Sequence, residues 1–160
     1  MKHIVIPTDF SIRSLKMVNQ VVEHFGEEEL AITLLHGMHL PSSIVDLLFL
    51  GKKNEHSDMI NEEFRDACEI LQNKYASVIP VLKVQFMYGN TRRVMKNFLE
   101  ANKTDLVVLP ENYTYRQYHE NSVDLVPLLQ KTGYPLLKIK LQPANAGVEK
   151  EMVADLLLAG

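Results

Sequence analysis

Short, unbroken apolar runs recur along this chain, each followed by a stretch whose apolar residues return every three or four positions. That alternation limits the fold more than any other feature. His3-Ile4-Val5-Ile6 is the first run, closed by Pro7-Thr8-Asp9. It carries too few polar positions for a strand with one wet face, so it reads as a strand buried in a parallel sheet. Ser11 then stands where an N-cap would, and Leu15, Val18, Val22 and Phe25 repeat at helical spacing until Gly26 supplies a stop. Residues 31–35 repeat the buried strand, with an exit through His36-Gly37-Met38-His39.

Residues 41–57 read as a connector with at least one helical turn. From Asp58 the helical stripe resumes with Ile60, Phe64, Ala67, Cys68, Leu71 and Tyr75. A third strand over 81–88 ends at Gly89-Asn90, and 91–101 is a helix that turns Val94, Phe98 and Leu99 inward. Asp105 opens Leu106-Val107-Val108-Leu109, the most uniformly apolar strand, which Pro110 is expected to stop. A polar, aromatic loop over 111–120 leads to an expected fourth helix over 122–131, and Gly133-Tyr134-Pro135 turns into a last strand over 136–141. Strands alternating with helices at this spacing need right-handed crossovers, hence a doubly wound α/β fold: five parallel strands covered on both faces.

In the last strand Lys138 and Lys140 alternate with Leu137, Ile139 and Leu141, the mark of a sheet edge, and such an edge invites a partner. The α/β domain is expected over 1–141. An extension over 142–160 follows, whose residues 148–158 have the pattern of a short helix that must dock in cis or on a neighbour. A hydrophobic fraction of 46% in 160 residues supports one core. A formal charge of −3 with no basic block argues against nucleic acid as a partner. The single Cys68 suits a buried thiol in a reducing compartment, and no apolar run is long enough for an export signal or a membrane span, so a cytoplasmic address is expected.

In open parallel sheets the binding crevice lies beyond the carboxyl ends of the strands. The strand ends gather Thr8 and Asp9 from the first, His36 and His39 from the second, Gly89 and Asn90 from the third, and Pro110 and Tyr113 from the fourth. Asp9 either caps its own turn or meets a ligand. His36 and His39 fall on opposite faces of an ideal strand, and pocket lining fits them better than metal ligation. Cys68 on its apolar stripe is expected to be buried rather than catalytic. The loop from Tyr113 to His119, with three tyrosines in seven positions, either stacks on a planar ligand or packs as a lid on its own domain or on the other subunit. The methionines Met38, Met59, Met87 and Met95 read as core filler.

Ile4-Val5-Ile6-Pro7-Thr8-Asp9-Phe10-Ser11, Thr33-Leu34-Leu35-His36, Gly89, Asp105-Leu106-Val107-Val108, Asn121-Ser122-Val123 and Tyr134-Pro135-Leu136-Leu137 together resemble, in order and spacing, the universal stress protein family. The resemblance implies a five-stranded parallel sheet, four helices and a homodimer joined through the last strand. Many members hold ATP on a Gly-x-x-Gly segment after the fourth strand and a Gly-Ser or Gly-Thr pair about ten residues later, where backbone N–H groups and a helix start face the phosphates. Here Pro110 and Tyr113 occupy the first two glycine positions, Asn121 the third, and only Ser122 survives. Pro110 lacks an N–H, Tyr113 adds bulk and Glu111 adds negative charge. Asp9 matches the position near the adenine and ribose. The expectation is therefore a dimeric binding or signalling module without a resident cofactor, and not a turnover enzyme, since no nucleophile, base and oxyanion donor assemble from the residues. Its rivals are an ATP or AMP binder with a rearranged pocket, an enzyme of other chemistry, and an interaction protein that works through its tail.

Overall fold

A computed structural model describes residues 1–39, 60–112 and 114–141. The expected connector over 41–57, the helix start at Asp58, Met59, Tyr113 and the extension over 142–160 lie outside the described residues. The chain runs β1 (Lys2–Pro7), α1 (Ile12–Phe25), β2 (Leu30–Met38), α2 (Glu62–Lys74), β3 (Val81–Tyr88), α3 (Arg92–Ala101), β4 (Leu106–Glu111), β5 (Ser122–Val123), α4 (Val126–Leu129) and β6 (Leu136–Lys140). Five strands lie parallel in the order β3-β2-β1-β4-β6. The α/β reading holds. β3 is the second edge, opposite β6.

The sheet is apolar on both faces. One core gathers Ile4, Ile6, Ile32 and Leu34 under Leu15, Val18 and Val21 of α1 and Phe64, Ala67 and Leu71 of α2. On the other face Val5, Leu35, Met87, Val107 and Leu109 meet Met95 and Leu99 of α3 and Leu129 of α4. Met38, Met87 and Met95 are core filler as expected, each at most 3% exposed. The helix starts follow from their caps. Ser11 accepts from the Ser14 N–H, Asn61 from the Phe64 N–H at 2.8 Å and Thr91 from the Val94 N–H, satisfying donors that a first turn leaves open.

Three expectations are corrected. β2 does not leave the sheet at Leu35: it continues through His36 and Gly37 to Met38, because β3 pairs with it that far. Pro110 does not stop β4, which runs to Glu111. The β1–β4 pairing ends at Val5↔Val107, so a missing N–H at 110 costs that ladder nothing, while the β6 side still pairs Pro110↔Ile139 and Glu111↔Lys140. Third, residues 122–131 are not one helix. Ser122 and Val123 pair antiparallel with Met38 and Gly37, and only the four residues from Val126, started by Pro127 and by the Asp124 carboxylate accepting the Val126 N–H, are helical. β1 pairs with β2 only as far as Pro7↔Leu35. With β3 on its other side, the margin of β2 that β1 has vacated is the one β5 takes.

Candidate functional site

Chain direction along the sheet reverses between β1, which leads outward through β2 to β3, and β4, which leads the other way to β6. The crevice rule therefore points to the ends of β1 and β4. After Pro7 the chain turns at once. The Thr8 N–H donates to the Leu35 carbonyl at 2.9 Å, and the Thr8 hydroxyl accepts the Phe10 N–H at 3.0 Å and bonds the Ser14 hydroxyl at 2.8 Å. Asp9 uses one carboxylate oxygen on the N–H and hydroxyl of Ser11 and the other on the Arg116 N–H at 3.0 Å. At 1% exposure, both oxygens are engaged inside the protein. The capping reading of Asp9 is the one the geometry supports, with the added task of anchoring the loop 114–121.

This turn holds Phe10 at φ 61°, a left-handed conformation that costs a residue with a Cβ about 1–2 kcal/mol. The ring is what offsets it. It stacks on His36 at 4.3 Å and meets Phe64 at 5.2 Å and Tyr118 at 4.8 Å edge-on, contacts worth about 0.5–1.5 kcal/mol each beyond plain burial.

His36 ties the strand ends together. Its Nδ1–H donates to the Thr8 carbonyl at 2.9 Å, which leaves Nε2 to accept from the Ser122 hydroxyl at 2.7 Å. Burial pulls its pKa below the ordinary 6.5, against the opposing pull of the Thr8 carbonyl and the Asp9 charge, so the ring is neutral at pH 7. The Ser122 oxygen in turn accepts the His119 N–H at 3.1 Å. The loop closes on itself as well. Gln117 donates to the carbonyls of His119 and Ser122, and the Asn121 N–H donates to His119 Nδ1. From the other side, the Arg13 guanidinium donates to the Asn112 carbonyl at 2.9 Å.

The space bordered by Thr8, Gly37, Tyr115, Val123 and Asp124 measures about 10 Å³, roughly the room for one water molecule. The Tyr115 hydroxyl is buried beside it, and burial, opposed by the Ser122 side chain and seconded by the nearby Asp9 and Asp124 charges, pushes its pKa up to about 12.

Of the residues expected at the site, Thr8, Asp9, His36 and Ser122 form one hydrogen-bonded cluster. Gly89 and Asn90 stand apart at the end of β3, with β2 between them and β1. The Gly89 backbone, at φ 107°, sends its N–H to the Met38 carbonyl. His39 is exposed and acts through its backbone, donating to the Asn121 carbonyl at 2.8 Å. Pro110 is half-buried in β4, and Tyr113 lies outside the described residues. Sequence reasoning missed Phe10 as the hub; the available signal was one large apolar residue inside the polar turn Thr8-Asp9-Phe10-Ser11.

Cys68 is half-buried against the α1–α2 core, and burial raises its thiol to about 12, so it carries no thiolate at neutral pH. Among the described residues no group of three or more His, Cys, Asp or Glu could hold a metal ion, and no helix is long and apolar enough to cross a membrane.

No protein-family model and no curated protein matches the chain. Solved structures do. Hypothetical protein PH0823 aligns at a TM-score of 0.50 and 22% identity over 90% of this chain and 99% of its own. Hypothetical protein MJ0577 aligns at 0.53 and 20% over 89% and 98%. The universal stress protein UspA from Lactobacillus plantarum aligns at 0.55 and 17% over 88% and 97%. At such identities the likeness is one of fold.

Proposed function

We propose that this chain is a universal stress protein-like binding or signalling module of the stress response, dimeric through β6, cytoplasmic, and closed to ATP in that family's usual mode. Two things support the family: the order of landmarks from Ile4 to Leu137, and the sheet shared with the Lactobacillus plantarum protein. The observation that carries the closed pocket is the contact between Asp9 and the Arg116 N–H, with Tyr118 on Phe10. The groups that would receive a nucleotide at the end of β1 are bonded to the protein's own loop.

Admitting a ligand there means lifting that loop. Losing a charge-assisted hydrogen bond and an aromatic contact costs about 2–4 kcal/mol, which lowers the affinity of any such ligand roughly thirty- to thousandfold. A calorimetric titration of the full chain with magnesium ATP, and separately with AMP, tests this. No saturable heat is expected up to about 5 mM, where even fragment-like affinities register. Saturable binding that Asp9→Ala abolishes would replace the reading with that of a nucleotide binder in a rearranged pocket.

A further inference from the structure

A second space lies at the amino ends of the strands. A cavity of about 190 Å³ lies between β1, β2 and β3 and the turn that follows α3. α3 covers the carboxyl half of this sheet face through Met95 and Leu99, and the amino half of β3 is left open, with Val81 37% exposed. Side-chain alternation from Val5, Leu35 and Met87 places His3, Ala31, Thr33, Val81 and Lys83 on this same face.

The lining has two parts. Val5, Ala31 and Val81 supply an apolar floor. Around it stand Thr33, Asn102, Thr104 and Lys83. Lys83 makes no ion pair among the described residues. The carboxylate of Asp105, next in the chain to Thr104, accepts the His3 N–H at 2.8 Å. An engineered apolar cavity of about 150 Å³ takes up benzene, so this volume admits one small ring or a short branched chain and leaves a head group at the polar rim.

We propose that this cavity is a binding site for a small monocarboxylic acid of about benzoate size, its apolar body on Val5, Ala31 and Val81 and its carboxylate at the Lys83 ammonium on the rim. The site is separate from the crevice at the strands' other end and does not depend on how that crevice is read.

The test is an amide-resolved NMR titration of the full chain with sodium benzoate, alongside benzyl alcohol as the uncharged counterpart. Fragment-sized ligands bind at about millimolar affinity, so saturating shifts are expected by about 20 mM at Ala31, Val81, Lys83 and Thr104. Benzoate should bind roughly three- to tenfold more tightly than benzyl alcohol, and Lys83→Met, a change at an exposed position, should remove that preference. Ala31→Leu, which fills the floor, should abolish both. Absence of saturating shifts at these four residues, shifts centred on Asp9 and Tyr118 instead, or an unchanged benzoate preference in Lys83→Met would each overturn the proposal.

Discussion

Phe10 shows how one residue carries opposing terms. Glycine would relieve the left-handed φ of 61°, a gain of about 1–2 kcal/mol, yet removing a fully buried phenyl ring costs about 3–5 kcal/mol. Packing wins. Phe10→Gly should lower unfolding free energy by about 1–4 kcal/mol in urea titration, although a purely backbone view of the site expects stabilisation. His36 adds a dependence on pH. Its folded pKa lies below 6.5, so as pH falls through that value the unfolded chain takes up a proton that the folded chain refuses. Stability contributed by neutral His36 is therefore complete well above pH 6.5 and declines below it, by up to about 1.4 kcal/mol per pH unit, until the folded pKa is reached. Urea unfolding from pH 7.5 down to 5 should show this slope in the parent minus His36→Gln difference; equal slopes in both proteins would reject it.

At the scale of the element, the two-residue β5 decides the shape of the crevice. It seats beside β2 only because position 37 has no side chain. A Cβ on Gly37 would lie 2.5 Å from Leu125 Cδ2 and 2.9 Å from the Val123 carbonyl oxygen. The second of these is backbone, which cannot rotate away. Gly37→Ala should therefore cost about 1–3 kcal/mol and detach β5 from β2. Hydrogen exchange at Val123 and His39 is the measurement: faster exchange there with β1 and β4 still protected is expected, and uniform protection would count against it. Because Ser122 sits on β5 and bonds His36, this change should also loosen Tyr115 and Tyr118 over the crevice.

At the scale of the whole molecule, the order β3-β2-β1-β4-β6 leaves two edges, and they differ. Ile139 and Leu141 of the expected dimer edge belong to the chain's own core, at 5% and 2% exposure, and Leu137 packs against it. What β6 offers outward is its backbone together with Leu136, Lys138 and Lys140. The Leu141 N–H donates to Glu111 and the Val107 N–H to Pro135, so odd-numbered residues face β4 and the N–H of Lys138 points away from the sheet. Lys138→Pro removes that outward donor and spares the ladder to β4. If β6 joins two copies, light scattering should show the mass halved with far-UV circular dichroism unchanged; an unchanged mass would place any interface elsewhere.

The apolar runs around Ile4, Leu34 and Val107, and the helical stripes through Leu15, Phe64 and Leu99, were enough by themselves to determine a parallel α/β sheet covered on both faces. Burial on two sides leaves a strand no polar alternation, and burial on one leaves a helix a stripe, so local composition records both. The candidate site was legible only in part. Thr8, Asp9, His36 and Ser122 could be nominated because strand ends are where such sheets bind. That they bond to one another was decided in three dimensions: 86 residues separate His36 from Ser122 and 107 separate Asp9 from Arg116. The same is true of β5, since a two-residue strand has no periodicity of its own and exists only because β2 outruns β1.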